Sequence, residues 1–190
     1  RPLYFRRSQN LNGGMMKKLI GIASAGSLAI ALMACGKSKG IEYEDSSFGI
    51  SLKLPGGWKQ VSKEIEEEMV TVDFEKGDLD VSLMYGGFQG MEELGLTGED
   101  WMDMMMESFA GEGATLEPVH EGSVVIAGIK GYEKTLKGKF EDSEGIARII
   151  MLTEGDKITV VIFARDNEKE FSSSDKKAMD EFISGLSLNL

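Results

Sequence analysis

The chain offers few residues for chemistry. His120 is the sole histidine, and Ser123 is the nearest hydroxyl in sequence that it could activate. A serine–histidine pair needs the base within hydrogen-bond reach of the nucleophile and a third group to orient it. Three residues along one bent strand do not give that geometry, so His120 is read as a surface or structural histidine. Met102, Met104, Met105 and Met106 suggest Cu(I), because thioethers are soft ligands. Met105, however, stands four residues from both Trp101 and Phe109, the spacing of one helix face, and core packing accounts for it. Glu64, Glu66, Glu67 and Glu68 could attract calcium, but a calcium loop spaces its oxygen ligands around a glycine. That segment is read as a solvated acidic loop. A closed zinc site takes several Cys or His ligands, and one of each does not supply it. Gly56-Gly57 and Gly86-Gly87 lack the strand–glycine–helix setting of a phosphate loop. The sequence therefore assigns no catalytic residue, no metal and no cofactor.

Cys35 is the only cysteine, so it has no internal disulfide partner. It follows Met16-Lys17-Lys18 and a moderately apolar run from Leu19 to Met33, shorter than the roughly 20 residues of a spanning helix. Positive charge before an apolar run is the pattern of an export signal. Leu32 and Ala34, at the third and first positions before the thiol, make residues 16–34 resemble a bacterial lipoprotein signal peptide. The resemblance implies lipid on Cys35, cleavage before it, and a membrane anchor of at least two acyl chains, which holds stably where one chain does not. Residues 36–40 are small and polar and read as a tether. Residues 1–15 are read as a mis-annotated extension from upstream DNA, with initiation at Met15 or Met16.

All 32 acidic residues lie beyond Cys35 with 16 of the 21 basic ones, a balance of −16 against −11 for the whole chain. Such a domain repels phosphate backbones and anionic headgroups, which excludes nucleic acid and direct adhesion to lipid as partners. Residues 41–190 have the size of one ordinary domain.

The elements that must position these residues follow from periodicity. Ile41–Asp45 begins a strand, and Phe48 to Leu54 alternates apolar and polar as a half-buried second strand. Pro55-Gly56-Gly57 stops it before Trp58. Met69 to Phe74 and Leu79 to Tyr85 form a hairpin across Lys76-Gly77-Asp78. Thr97 and Asp100 cap a helix whose apolar face carries Trp101, Met102, Met105, Met106 and Phe109. Thr115 to His120 and Ser123 to Ala127 read as short strands. Gly131 to Phe140, Ile146 to Thr153 and Lys157 to Arg165 form a meander, with a loop over residues 141–145. Ser173 or Ser174 caps a last helix with the stripe Ala178, Met179, Phe182, Ile183 and Leu186. The fold class is α+β, an antiparallel β-sheet flanked by helices.

The run from Phe48 to Trp58, a strand closing on Pro55 and three residues later Trp58, resembles the opening of the PsbP/Mog1-like superfamily. The closing meander and C-terminal helix are similar to that family as well. The resemblance implies an α/β/α sandwich and protein binding rather than catalysis, since characterised relatives assist a photosynthetic complex or bind a small GTPase. The expected function is a lipid-anchored, extracytoplasmic binding or assembly module in the cell envelope. Its partner would be another envelope protein, met near Trp58 and the acidic segment Glu64, Glu66, Glu67 and Glu68. The rival expectation is a small-ligand or metal-binding lipoprotein that serves a transporter, and a hydrolase is the weakest of the three.

Overall fold

A computed structural model of the chain describes residues 39–66, 69–87, 95–111, 115–140 and 143–189. Leu32, Ala34, Cys35, Glu67 and Glu68 lie outside the described residues, as do the signal segment and most of the tether.

Strict alternation builds the first strands. In β1 (Ile41–Asp45) and β2 (Ile50–Leu54), Tyr43, Ile50, Leu52 and Leu54 turn inward while their neighbours stay wet. β3 (Lys59–Glu66), β4 (Met69–Lys76) and β5 (Leu79–Gly87) continue the chain, followed by α1 (Gly98–Gly111). A four-strand meander of β6 (Thr115–Ile126), β7 (Ile129–Phe140), β8 (Ser143–Glu154) and β9 (Lys157–Asp166) leads to α2 (Ser173–Gly185) and β10 (Leu186–Leu188). A seven-stranded sheet has the order β3-β4-β5-β9-β8-β7-β6, and a three-stranded sheet has the order β1-β2-β10. Every pairing is antiparallel.

Central strands β5, β8 and β9 are buried on both faces, which is why they read as nearly continuous apolar runs. One face sends Leu83, Tyr85, Ile150, Val161 and Phe163 against the small sheet and Phe182 of α2. The other sends Met84, Ile149, Met151, Val160 and Ile162 against Met102 of α1. The result is a helix on either side of the large sheet, as the α/β/α expectation requires, with a small second sheet that the sequence did not announce.

That second sheet joins the two ends of the domain. β10 pairs with β2 in the register Leu186 to Leu52 and Leu188 to Ile50. Three residues are too short for periodicity to reveal.

Other boundaries shift for local reasons. β2 starts at Ile50 rather than Phe48 because Gly49 adopts a left-handed φ of 71°. Phe48 instead meets the Tyr85 ring edge to face, with centroids 5.3 Å apart. Residues 115–126 form one strand, not two, with a bulge between Pro118 and His120. β8 already begins at Ser143, inside the expected loop. The last helix is capped by Ser172, whose hydroxyl accepts from the Asp175 amide while the Asp175 carboxylate accepts from Ser172 N at 2.9 Å. At α1 the expected pair is present, with Thr97 N donating to Asp100 at 2.7 Å and Asp100 N donating to the Thr97 hydroxyl at 3.2 Å.

Candidate functional site

The described part of the segment expected as an acidic loop, Glu64 to Glu66, is the end of a strand. β3 forms one edge of the large sheet, so only β4 pairs with it among the described residues. Its register runs Lys63 to Val72, Glu64 to Thr71 and Ile65 to Val70, with a bulge between Gln60 and Ser62. The dense charge that made it look like a loop is what an edge strand carries to resist stray pairing. Lys59 pairs with Glu75 at 2.7 Å, and Ser62 donates to Asp73 at 2.5 Å. Two apolar residues nevertheless face solvent here, Val61 at 59% exposure and Ile65 at 68%. Glu64 is exposed on this strand and Glu66 ends it.

Trp58 is not part of that surface. It is 4% exposed, with its ring 5.5 Å from that of Phe182, and its indole nitrogen donates to Glu181 at 3.3 Å. Pro55-Gly56-Gly57 turns the chain inward, and α2 closes over the indole. Trp58 itself, counted with the expected binding surface, is thereby withdrawn from it, because its large apolar area is more favourably packed than wet.

Behind β3 lies a polar cluster that the sequence did not reveal. The Tyr43 and Tyr85 hydroxyls share a hydrogen bond, and Tyr85 donates to Asp45 at 2.9 Å. Lys63 approaches Asp45 at 3.6 Å and sits 5.1 Å from the centre of the Tyr43 ring. Its hydrogen bond to Tyr43 holds the Lys63 ammonium above its ordinary pKa, while burial pushes the Tyr85 hydroxyl well up. The group ties β1 of the small sheet to β3 and β5 of the large one. Only its alternation, Tyr43 two residues before Asp45, was visible beforehand.

On the far side of the large sheet, Asp73 accepts from Ser62 and from Ser82, the latter at 2.6 Å. Burial first, then the charges of Asp166 and Glu75, raise Asp80 to about 6, with Arg165 opposing. Among the described residues, no group of three or more His, Cys, Asp or Glu side chains is placed to hold a metal ion.

His120 lies on the edge strand β6, opposite Thr135, and Ser123 lies opposite Tyr132. Thr135 and Tyr132 are three apart on β7, so His120 and Ser123 project to opposite faces of the sheet. The His120 ring instead meets Glu133 at 3.1 Å, and Arg148 donates to the other oxygen of Glu133 at 3.0 and 2.6 Å. This is a surface charge network without a nucleophile. The methionines divide between core and solvent. Met102 is fully buried, Met105 and Met106 are half-buried, and Met104 is 50% exposed.

No family model matches the chain, and no curated protein sequence matches it. Solved structures do. The solution structure of cyanobacterial PsbP (CyanoP) from Synechocystis sp. PCC 6803 is 18% identical, with a TM-score of 0.53 over 84% of this chain and 98% of that one. A point mutant of the protein Mog1 is 14% identical, with a TM-score of 0.51 over 78% of this chain and 95% of that one. At such identities the likeness establishes the fold, which is α+β and PsbP/Mog1-like.

Proposed function

We propose that the protein is a lipid-anchored extracytoplasmic lipoprotein whose domain binds another envelope protein and does no chemistry on it. One observation carries the reading. Among the described residues β3 pairs only with β4, and it exposes Val61 and Ile65, although edge strands normally keep such side chains covered. A fold shared with CyanoP and Mog1 supports it, since the family resemblance of the sequence implies protein binding. The anchor rests on Cys35 and its signal-like approach.

Crosslinking in intact cells, comparing the natural protein with Cys35→Ser and reading the products by mass spectrometry, tests both parts. One dominant envelope partner, captured only from the anchored form, is the expected result. Capture of no specific partner from either form would remove the binding-module reading and turn attention to ligand screening for a transporter-associated role.

A further inference from the structure

Of the two edges of the large sheet, the one at β6 carries the longer regular register. Among the described residues β6 pairs only with β7, without interruption from His120 opposite Thr135 to Ile126 opposite Ile129. Pro118, which has no N–H to donate, and the bulge between Pro118 and His120 blunt the strand before that run. The run itself is regular. Ala127 and Gly128 make a two-residue turn with φ of 52° and 85°, so the flanking Ile126 and Ile129 form a hydrogen-bonded pair. Alternation back along the strand then turns the backbone groups of Val125, Ser123 and Glu121 outward, away from β7.

That edge is complementary to itself. Val119 is 48% exposed and Val125 65%, and each stands three residues from Gly122. An antiparallel pair of β6 strands with its two-fold axis at Gly122 sets Val125 of each copy opposite Val119 of the other. The same register sets Glu121 opposite Ser123, whose outward backbone groups can exchange both hydrogen bonds. At the axis glycine meets glycine, and nothing lies within 4 Å of a Cβ built on Gly122, so the approach is open. Charge favours a second copy over a foreign strand. The domain is strongly acidic and repels its own kind over most of its surface. The β6–β7 hairpin is the exception, since Glu117, Glu121 and Glu133 stand there with Lys130, Lys134, Lys137 and Lys139. The charges of β6 are met within the hairpin: Glu117 by Lys137 at 3.7 Å, Glu121 by Lys134 at 3.6 Å, and His120 by Glu133 at 3.1 Å. An edge so balanced calls for no charged ligand, and another copy brings the same balanced surface.

We infer that the protein forms a two-fold dimer by antiparallel pairing of β6 with β6 across Gly122. The interface is isologous, so every contact occurs twice. Pairing joins the two large sheets into one, with β3 at each outer end. The inference goes beyond the binding-module reading and leaves the surface of that reading free: a dimer presents two β3 edges at once, which raises avidity for a partner that offers two sites.

The test uses the full chain carrying Cys35→Ser, in which an introduced cysteine is the sole thiol. Sedimentation velocity over a range of concentrations should show a monomer–dimer equilibrium. Val119→Lys and Val125→Lys should each weaken the dimer by about tenfold or more, because each substitution acts twice across the axis. Both side chains are exposed, and circular dichroism checks that the variants keep the fold. Ile65→Lys on β3 should leave the dimer as it is. Oxidative cross-linking reads the register. Gly122→Cys lies on the axis and should link the two copies. Val125→Cys should not, since its two copies stand six residues apart along the paired strands, about 20 Å, beyond the reach of a disulfide. A monomer at every concentration, indifference to Val125→Lys, loss of the dimer with Ile65→Lys, or cross-linking at 125 in place of 122 would each overturn the inference. A partner captured in cells by a chain that stays monomeric would end the dimer while the binding-module reading stands. A dimer linked through Gly122→Cys with no partner captured would uphold the dimer and end that reading.

Discussion

Trp58 and Glu181, 123 residues apart in sequence, are joined by a hydrogen bond from the indole nitrogen to a carboxylate oxygen at 3.3 Å. Lys76 pairs with the same carboxylate and lies 5.4 Å from the indole ring centre. Three elements meet here: the turn before β3, the end of β4, and α2. Their junction is the seam that holds α2 on the large sheet. Truncating the buried indole in Trp58→Ala should cost about 3–5 kcal/mol, as for other large core aromatics. The hydrogen bond with Lys76 holds the Glu181 carboxyl below its ordinary value. A depressed acid contributes stability above its unfolded pKa and loses it as pH falls through the folded one. Glu181→Gln should therefore cost about 0.5–1 kcal/mol at pH 7, given the partial exposure of the pair, and almost nothing at pH 3. Urea denaturation at both pH values checks the two substitutions.

Asp80 has the opposite sign. Burial raises its folded pKa to about 6, with Asp166, Glu75 and Asp73 adding their charge and Arg165 opposing. A raised acid favours the protonated form in the fold, so its contribution is complete below the ordinary carboxylate value and lost as pH rises through about 6. Asp80→Asn keeps the shape and removes that loss. It should raise stability by about 1–2 kcal/mol at pH 8, after allowance for its half-exposed setting, and leave it unchanged at pH 4. Thermal melts across that range would show two curves that coincide in acid and part above pH 6. A constant offset would assign the effect to something other than titration.

Elements with a regular period were legible in the sequence, and those defined by distant partners were not. Ile50, Leu52 and Leu54 on β2, Val70, Val72 and Phe74 on β4, and the stripe Ala178, Met179 and Phe182 on α2 are buried as their spacing indicates. β3 escaped because an edge strand carries charge where a central one carries apolar residues, and the four-residue spacing of Val61 and Ile65 fits a helix as well as a strand. β10 escaped because its three residues are strand only by virtue of β2. The fate of Trp58 was also out of reach, because the turn before it does not say which way the ring points and Glu181 is remote. The same limit hid Tyr43 and Tyr85, which come from strands in different sheets.

Pairing of β10 with β2 depends on Gly49. Its φ is +71°, and a Cβ there would come within 2.0 Å of the Asn189 carbonyl oxygen. The Asn189 amide donates to the Gly49 carbonyl at 2.7 Å, so the approach cannot open without losing that bond. Gly49→Ala should cost about 1 kcal/mol for the left-handed backbone and about as much again for displacing the strand end. Gly77→Ala is the control, because Gly77 has a φ of +65° and nothing within 4 Å of its would-be Cβ. It should show the backbone cost alone. Amide exchange should quicken at β10 in the first variant and not in the second.

Met102 and Met104 separate packing from metal binding. Met102 is fully buried against the face of the large sheet that carries Ile149 and Met151, whereas Met104 is half in water on the outer side of α1. If α1 serves the core, Met102→Ala should cost about 2–4 kcal/mol and Met104→Ala no more than about 0.5 kcal/mol. If the helix holds Cu(I), the exposed sulfur should matter most, since a buried thioether already surrounded by apolar neighbours has no open side for an ion. Chemical denaturation of the two variants, with and without Cu(I) under anaerobic conditions, distinguishes these. The expected outcome is a large loss for Met102→Ala, none for Met104→Ala, and midpoints indifferent to copper. A copper-dependent midpoint abolished by Met104→Ala would assign the methionines to the metal.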